Sequence, residues 1–267
     1  MEIKLREILI SIIITLVLIS IGLIIDNNLT YSSTKERELY NKSLKINNDK
    51  EVFKYSINTN VGNVLAYGQF SVENGIKIDE LLNDYLAIKK ITEKYKKHTS
   101  RVCNKCGKTI CCHNKVYYSW DIVSFEINNV EEVKFLQLNF PYDTFNNYEF
   151  KRLELNKNTV SFKYIDKIRR GHIYNNSSFF PLLHDLRYSY YVVDKKFYGS
   201  ILAKIKNNNL ESLKSDKIRI HHSSINETIK NINFREIQIR IIFWLIYIFI
   251  IIILVIKYIS HDNNYLY

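Results

Sequence analysis

Two uninterrupted apolar runs dominate the pattern along the chain. Residues 8–25 read ILISIIITLVLISIGLII, a stretch without a charge, broken only by Ser11, Thr15, Ser20 and Gly22. As a helix rising 1.5 Å per residue it reaches about 27 Å, close to the thickness of a bilayer core. Residues 241–256 read IIFWLIYIFIIIILVI and are bracketed by Arg240 and Lys257, whose long stems can carry charge out to the interfaces. Trp244 and Tyr258 sit near opposite ends of this run, where interfacial aromatics belong. A buried core helix is seldom apolar on every face over such a length. The pattern predicts two transmembrane helices, 8–25 and 241–256.

A cleavable signal peptide competes for the first run, because Lys4 and Arg6 form a positive leading segment. The run is longer than the apolar part of a typical signal, and Asp26-Asn27-Asn28-Leu29-Thr30 offers no small-residue cleavage site. A signal anchor is the expected form. Two spans put tails 1–7 and 257–267 on one side. Lys4 and Arg6, followed by no cation from Asp26 until Lys35, place that side in the cytoplasm. The expected location is the cell membrane, with the domain 26–240 on the extracytoplasmic face.

Between the spans the pattern shifts toward period two. Strand-like segments are VFKYSI from residue 52, NVLAYGQFSV, VYYSWDIVSFEI at 116–127, KFLQLNF, SFKYIDKI, YSYYVVD and YGSILAKI. Residues 88–99 alternate weakly and are dense in lysine, and 80–86 fit a short helical turn. Asn74-Gly75 reads as a hairpin turn between QFSVE and IKI. Pro141 and Pro181 are expected to end strands or shape turns. Ser224, three residues before Glu227, has the spacing of a capping box, so a helix is expected from about 224. It would either continue into the second span as a stalk or lie on the membrane surface. The predicted fold class is a membrane-anchored α+β protein, two transmembrane helices flanking a mainly β domain.

Composition refines this picture in one respect. The formal net charge is +11, and the charges flanking the two spans nearly cancel, so the excess sits in the middle domain. A basic domain beside a bilayer is attracted to anionic lipids or wall polymers. The abundance of Asn, Ile, Lys and Tyr also fits an AT-rich genome, which would raise the charge with no partner involved. Another membrane protein is a further candidate partner, besides the lipid bilayer itself, whereas nucleic acid is not expected.

All four cysteines fall in Cys103-Asn-Lys-Cys106-Gly-Lys-Thr-Ile-Cys111-Cys112-His113. Outside an oxidising membrane the expectation is disulfides stapling a hairpin tip, with Arg101-Val102 and Val116-Tyr117 in the flanking strands. In the cytosol the same residues would favour zinc at Cys103, Cys106, Cys112 and His113, or at Cys111 in place of Cys112. The ligand spacing is shorter than structural zinc sites usually have, and free thiols are the third possibility. No other cofactor is expected.

Elsewhere chemistry is sparse. His98 and Trp120-Asp121 could form a polar site, although a sheet face with inward aromatics accounts for them more simply. His184-Asp185 and His221-His222 are isolated in sequence, and no serine has a nucleophile-elbow context. Phosphate-loop, dinucleotide and zinc-protease motifs are missing from the sequence. Lys167, Arg169 and Arg170 are candidates for anion contact, with a solvated strand end as the simpler account. Matches to the glycosylation acceptor pattern, as at Asn28, Asn41, Asn176 and Asn226, are what chance gives in so Asn-rich a chain.

Glu93-Lys-Tyr95-Lys-Lys-His98-Thr99, Tyr117-Tyr118-Ser-Trp120-Asp121, Tyr190-Tyr191-Val-Val193 and Gly199 together resemble a group of two-span membrane proteins of low-GC Gram-positive bacteria and their phages. The resemblance covers most of the domain and the second span, omits the cysteine cluster, and implies architecture without an activity. A weaker likeness is to the mitochondrial ubiquitin ligases whose membrane-anchored domain lies between two spans. Nothing resembling a RING ligand set follows the second span here, so ligase activity is not implied. The expected function is a non-catalytic, bacterial or phage-encoded membrane protein whose extracytoplasmic domain meets the envelope or a membrane partner. The alternatives are a cytoplasm-facing zinc or enzymatic module and a phage lysis-related protein.

Overall fold

A computed structural model describes residues 5–264 apart from 108, 177, 179 and 214; residues 1–4 and 265–267 of the predicted tails lie outside the described residues. In chain order the elements are α1 (Leu5–Lys42), β1 (Leu44–Asn47), α2 (Lys50–Thr59), β2 (Gly62–Ser71), β3 (Ala87–Cys106), β4 (Thr109–Asn129), β5 (Glu132–Phe135), β6 (Leu138–Pro141) and β7 (Phe145–Asn146). There follow β8 (Lys151–Arg152), β9 (Ile168–Arg169), β10 (His172–Tyr174), β11 (Leu186–Val193), β12 (Lys196–Lys206), β13 (Asn209–Glu211), β14 (Ile218–His221) and α3 (Ile225–Asn264). Two long apolar helices thus flank a mainly β domain, as the hydrophobic pattern predicts.

Both terminal helices are long and apolar enough to cross a membrane. Only 11% and 6% of their most apolar windows are buried inside the protein, which is not how a soluble core helix sits. The two helices pack on each other. Where α1 carries Gly22, an added Cβ would run into the ring of Tyr247 and come within 3.2 Å of Trp244, so the glycine permits the close approach. Tyr247 donates its hydroxyl hydrogen to the Leu18 carbonyl, 2.7 Å away. Ser20 and Thr15 return their hydroxyls to carbonyls four residues back, so they add no unsatisfied polar group to the apolar run.

Past the apolar stretches the helices continue unbroken into the domain, joined by polar contacts. Arg240 pairs with Asp26 at 3.7 Å and donates to the Thr30 hydroxyl. Thr34 and Arg37 both reach the buried carboxylate of Glu236, and Arg235 meets Glu36. The capping box forms as spaced: the Ser224 backbone N–H donates to Glu227, whose own N–H points back to the Ser224 hydroxyl. Of the two forms expected for this helix, a stalk or a surface helix, the structure takes the stalk.

The described residues of the domain form two sheets. The larger runs β6-β5-β2-β12-β14-β7, with β1 beside β2 and β13 beside β12; the smaller runs β4-β3-β11-β10-β9, with β8 also on β11. One core gathers under the larger sheet around Phe53, Phe70, Phe135, Phe145 and Ile201. A second lies under the smaller sheet around Leu81, Ile88, Val160, Ile173 and Tyr190. A third knot, Tyr40, Leu65 and Ile225, welds the stalk to the larger sheet.

Four local expectations are corrected. VFKYSI is not a strand but the body of α2: Asp49 caps it by accepting from the Val52 N–H at 3.0 Å, and Phe53, Ser56 and Ile57 bury one helical stripe. KFLQLNF is two short strands, because Leu136 and Gln137 take positive φ and turn the chain between β5 and β6. SFKYIDKI starts as a 3-10 turn, Phe162–Lys167, and only its end is strand. Asn74-Gly75 does not close a hairpin on β2. Gly75 instead lies against the backbone of Tyr85, closer than any Cβ would permit, and Ile76 bridges to Tyr85.

Candidate interaction arm

The most distinctive feature of the domain is the β3–β4 hairpin. β11 accompanies β3 only from Ala87 to Lys94. Beyond that point β3 and β4 pair with each other alone, in register from Tyr95 opposite Trp120 to Cys106 opposite Thr109. The eleven residues Lys96 to Cys106 therefore continue past β11 as a two-stranded arm, about 36 Å long at 3.3 Å per residue. Sequence periodicity located VYYSWDIVSFEI as a strand but gave no sign of this length. The tip lacks the apolar face that marks a strand packed on a core.

The base of the arm is clamped by a stack of rings and guanidinium groups. Tyr95 lies between Tyr118, 5.8 Å away, and Trp120, at 5.2 Å. The Arg187 guanidinium sits 4.5 Å above the Trp120 ring and makes a two-point bond to Glu93, both contacts 2.9 Å. Tyr174 abuts Trp120 edge-on, and Arg169 covers Tyr174 at 4.9 Å. Such planar, bidentate contacts fix orientation better than isolated surface ion pairs do. The loop before β11 adds a strap: the Tyr95 N–H donates to the Asp185 carbonyl, and the Tyr95 carbonyl accepts from the His184 N–H. A close register among β3, β4, β10 and β11 assembles this clamp, so sequence spacing alone did not reveal Arg187 as a partner of Glu93.

The cysteines lie at the tip. Cys103 faces Cys112 across the hairpin and is bonded to it, the Cα atoms 4.0 Å apart; Cys106 is bonded to Cys111. Alternation puts Cys103 and Cys112 on one face of the ribbon, and Cys106, Cys111 and His113 on the other. The predicted zinc set of Cys103, Cys106, Cys112 and His113 is thus divided between the two faces.

His98 and Asp121 do come together, 3.1 Å apart, and Ser119 donates to the same carboxylate at 2.9 Å. The Ser119 bond and the neighbouring His98 hold the Asp121 carboxyl below the usual carboxylate range. The carboxylate occupies the middle of this trio, however, so no imidazole is placed to take a proton from the serine. His184, His221 and His222 make structural contacts. His184 and Asp185 form a turn in which the Asp185 carboxylate accepts from the Leu182 N–H at 2.6 Å. His221 bonds Tyr40, and His222 reaches the Asn147 carbonyl.

The basic knot is spread out by a turn. Arg169 donates to the carbonyls of Asn176 and Ser178, Lys167 lies over the Tyr164 ring, and Arg170 occupies the left-handed turn before β10. A concave site exists instead where the stalk meets the domain. There a cavity of about 240 Å³ is lined by Glu36, Tyr40, Ser212, Lys217, Arg219 and Arg235 among others. Lys217 is already paired with Asp143, and Arg235 with Glu36.

Comparison with family models, curated proteins and solved structures gives no match to this chain.

Proposed function

We propose that this chain is a bacterial or phage-encoded integral membrane protein, held by both terminal helices, whose β domain lies outside the cytoplasm and works by binding. Its partner is an envelope component or another membrane protein. The observation that carries this reading is the projecting β3–β4 arm. A solvent-exposed ribbon clamped at its base and bonded at its tip presents side chains without enclosing a substrate. The polar trio nearest to it has the wrong order for nucleophilic catalysis, and the paired cysteines suit an oxidising compartment.

Thiol accessibility in intact cells tests the reading. A membrane-impermeant maleimide should label the arm only after reduction, and without lysis. If labelling instead required lysis, and the purified protein carried about one zinc per chain that Cys103→Ser removed, the cytoplasmic zinc module would replace this proposal.

A further inference from the structure

The charge of the domain is concentrated on the arm. From Lys94 to Trp120 the sequence holds seven Lys and Arg residues and neither Asp nor Glu, against a net +11 for the whole chain. The row Lys97, Arg101 and Lys105 recurs every fourth residue on one face of β3, about 13 Å apart, and all three are exposed. The same face of β4 carries Tyr118 opposite Lys97, 52% exposed, Ile110 opposite Lys105, 72% exposed, and Val116 opposite Thr99, 46% exposed. The other face carries Lys115 and Tyr117, both exposed, and the half-buried Lys96, which meets Asp121 at 3.9 Å.

We propose that this arm docks on an anionic phospholipid bilayer. Cations alone would suit any polyanion. What favours a lipid surface is their interleaving with exposed aliphatic and tyrosine side chains, which gain by entering the headgroup layer while neighbouring lysines stay at its edge. Shape points the same way, because a two-stranded ribbon open on both faces has no walls to enclose a polymer strand. The anchor supplies proximity. About 24 Å of α1, from Asp26 to Lys42, separates the apolar span from the domain, less than the arm's own reach of about 36 Å. This names a partner for the arm on which the binding reading rests, and its test is independent of which side the domain occupies.

The full chain carrying Ile110→Trp, with the wild type as background, reports contact through the added indole. Two formats are used: reconstitution into vesicles containing 30 mol% phosphatidylglycerol, and reconstitution into phosphatidylcholine nanodiscs to which such vesicles are then added. A blue-shifted emission, quenched by bromine-labelled acyl chains in either format and missing with phosphatidylcholine alone, is the expected result. Lys97→Glu/Arg101→Glu/Lys105→Glu should weaken the response on the order of 100-fold, since each surface cation contributes about a fivefold factor, and should leave the unfolding midpoint in place. An unshifted indole in both formats would overturn the proposal, as would an equal shift in neutral vesicles. A response to soluble polyphosphate but not to vesicles would also overturn it, in favour of a free polyanion. The maleimide result would be untouched by any of these, so failure here and failure of the sidedness proposal remain distinguishable.

Discussion

Asp26 and Arg240 meet 3.7 Å apart at the level where both apolar runs end, one residue beyond the first and one before the second. The Asp26 side chain is nearly buried, so the guanidinium neutralises a carboxylate that water scarcely reaches. This fixes the mutual register of the two helices. Thr30, Thr34, Arg37 and Glu236 then extend the same register toward the domain.

That relationship predicts strong coupling. Asp26→Asn and Arg240→Gln should each destabilise the full chain in lipid bicelles by about 1–3 kcal/mol, the arginine variant more because it strands a buried charge. The double variant should cost less than the sum, with a coupling of about 1–2 kcal/mol in a double-mutant cycle. Strict additivity would mean that the helices keep their register without this pair.

The spans, the capping box and the later strands were legible because each is written locally. Eighteen charge-free residues, or Ser224 and Glu227 at the right spacing, need no distant partner to be recognised. VFKYSI was misread because its β-branched and aromatic content outweighed the Asp49 cap and the helical spacing of Phe53, Ser56 and Ile57. The arm was invisible for a different reason. Its identity lies in where β11 stops, a fact about Leu186 and Lys94 that no window around residues 95–119 contains. The clustering of positive charge on it acquires meaning only once the two strands are paired.

The Arg187–Glu93 fork should be intolerant of a charge-conserving change. Lysine can supply the charge but not two parallel N–H donors or a flat face for Trp120, so Arg187→Lys is expected to cost about 1–3 kcal/mol in denaturant unfolding. Amide exchange should quicken at the arm base, around Tyr95 and Trp120, more than in the larger sheet. A uniform change across both sheets would assign Arg187 to general stability rather than to the clamp.

His221 gives the junction of stalk and domain a pH dependence. Burial first, and then the neighbouring Arg219, push its pKa down from 6.5 to about 4, with Glu36 opposing. The folded state therefore prefers the neutral imidazole, and between pH 6.5 and 4 the unfolded chain binds the extra proton. Its contribution is complete above about pH 6.5 and is lost as pH falls toward 4. His221→Gln should flatten this part of the profile, lowering by about 1–2 kcal/mol the stability difference between pH 7.5 and 4.5. At the other extreme burial raises Tyr40 to about 12, so stability should decline as pH climbs past 10. Thermal unfolding of both proteins across the two ranges separates the contributions.

The cysteine bonds should matter to the arm and little to the domain. A bond that closes a short loop stabilises by restricting the unfolded chain, by about 2–3 kcal/mol when the loop unfolds together with everything else. Here Cys103 and Cys112 lie nine residues apart on an exposed tip, far along the ribbon from the cores around Phe70 and Tyr190. The tip can therefore open on its own, and the entropy its bond removes belongs to that local opening. Cys103→Ser/Cys112→Ser should leave the global unfolding free energy within about 0.5 kcal/mol of wild type. Exchange protection and protease resistance between Arg101 and Lys115 should fall about tenfold or more. A global loss near 3 kcal/mol would instead make the tip part of the cooperative domain, and the arm a rigid extension of its sheet rather than a separable probe.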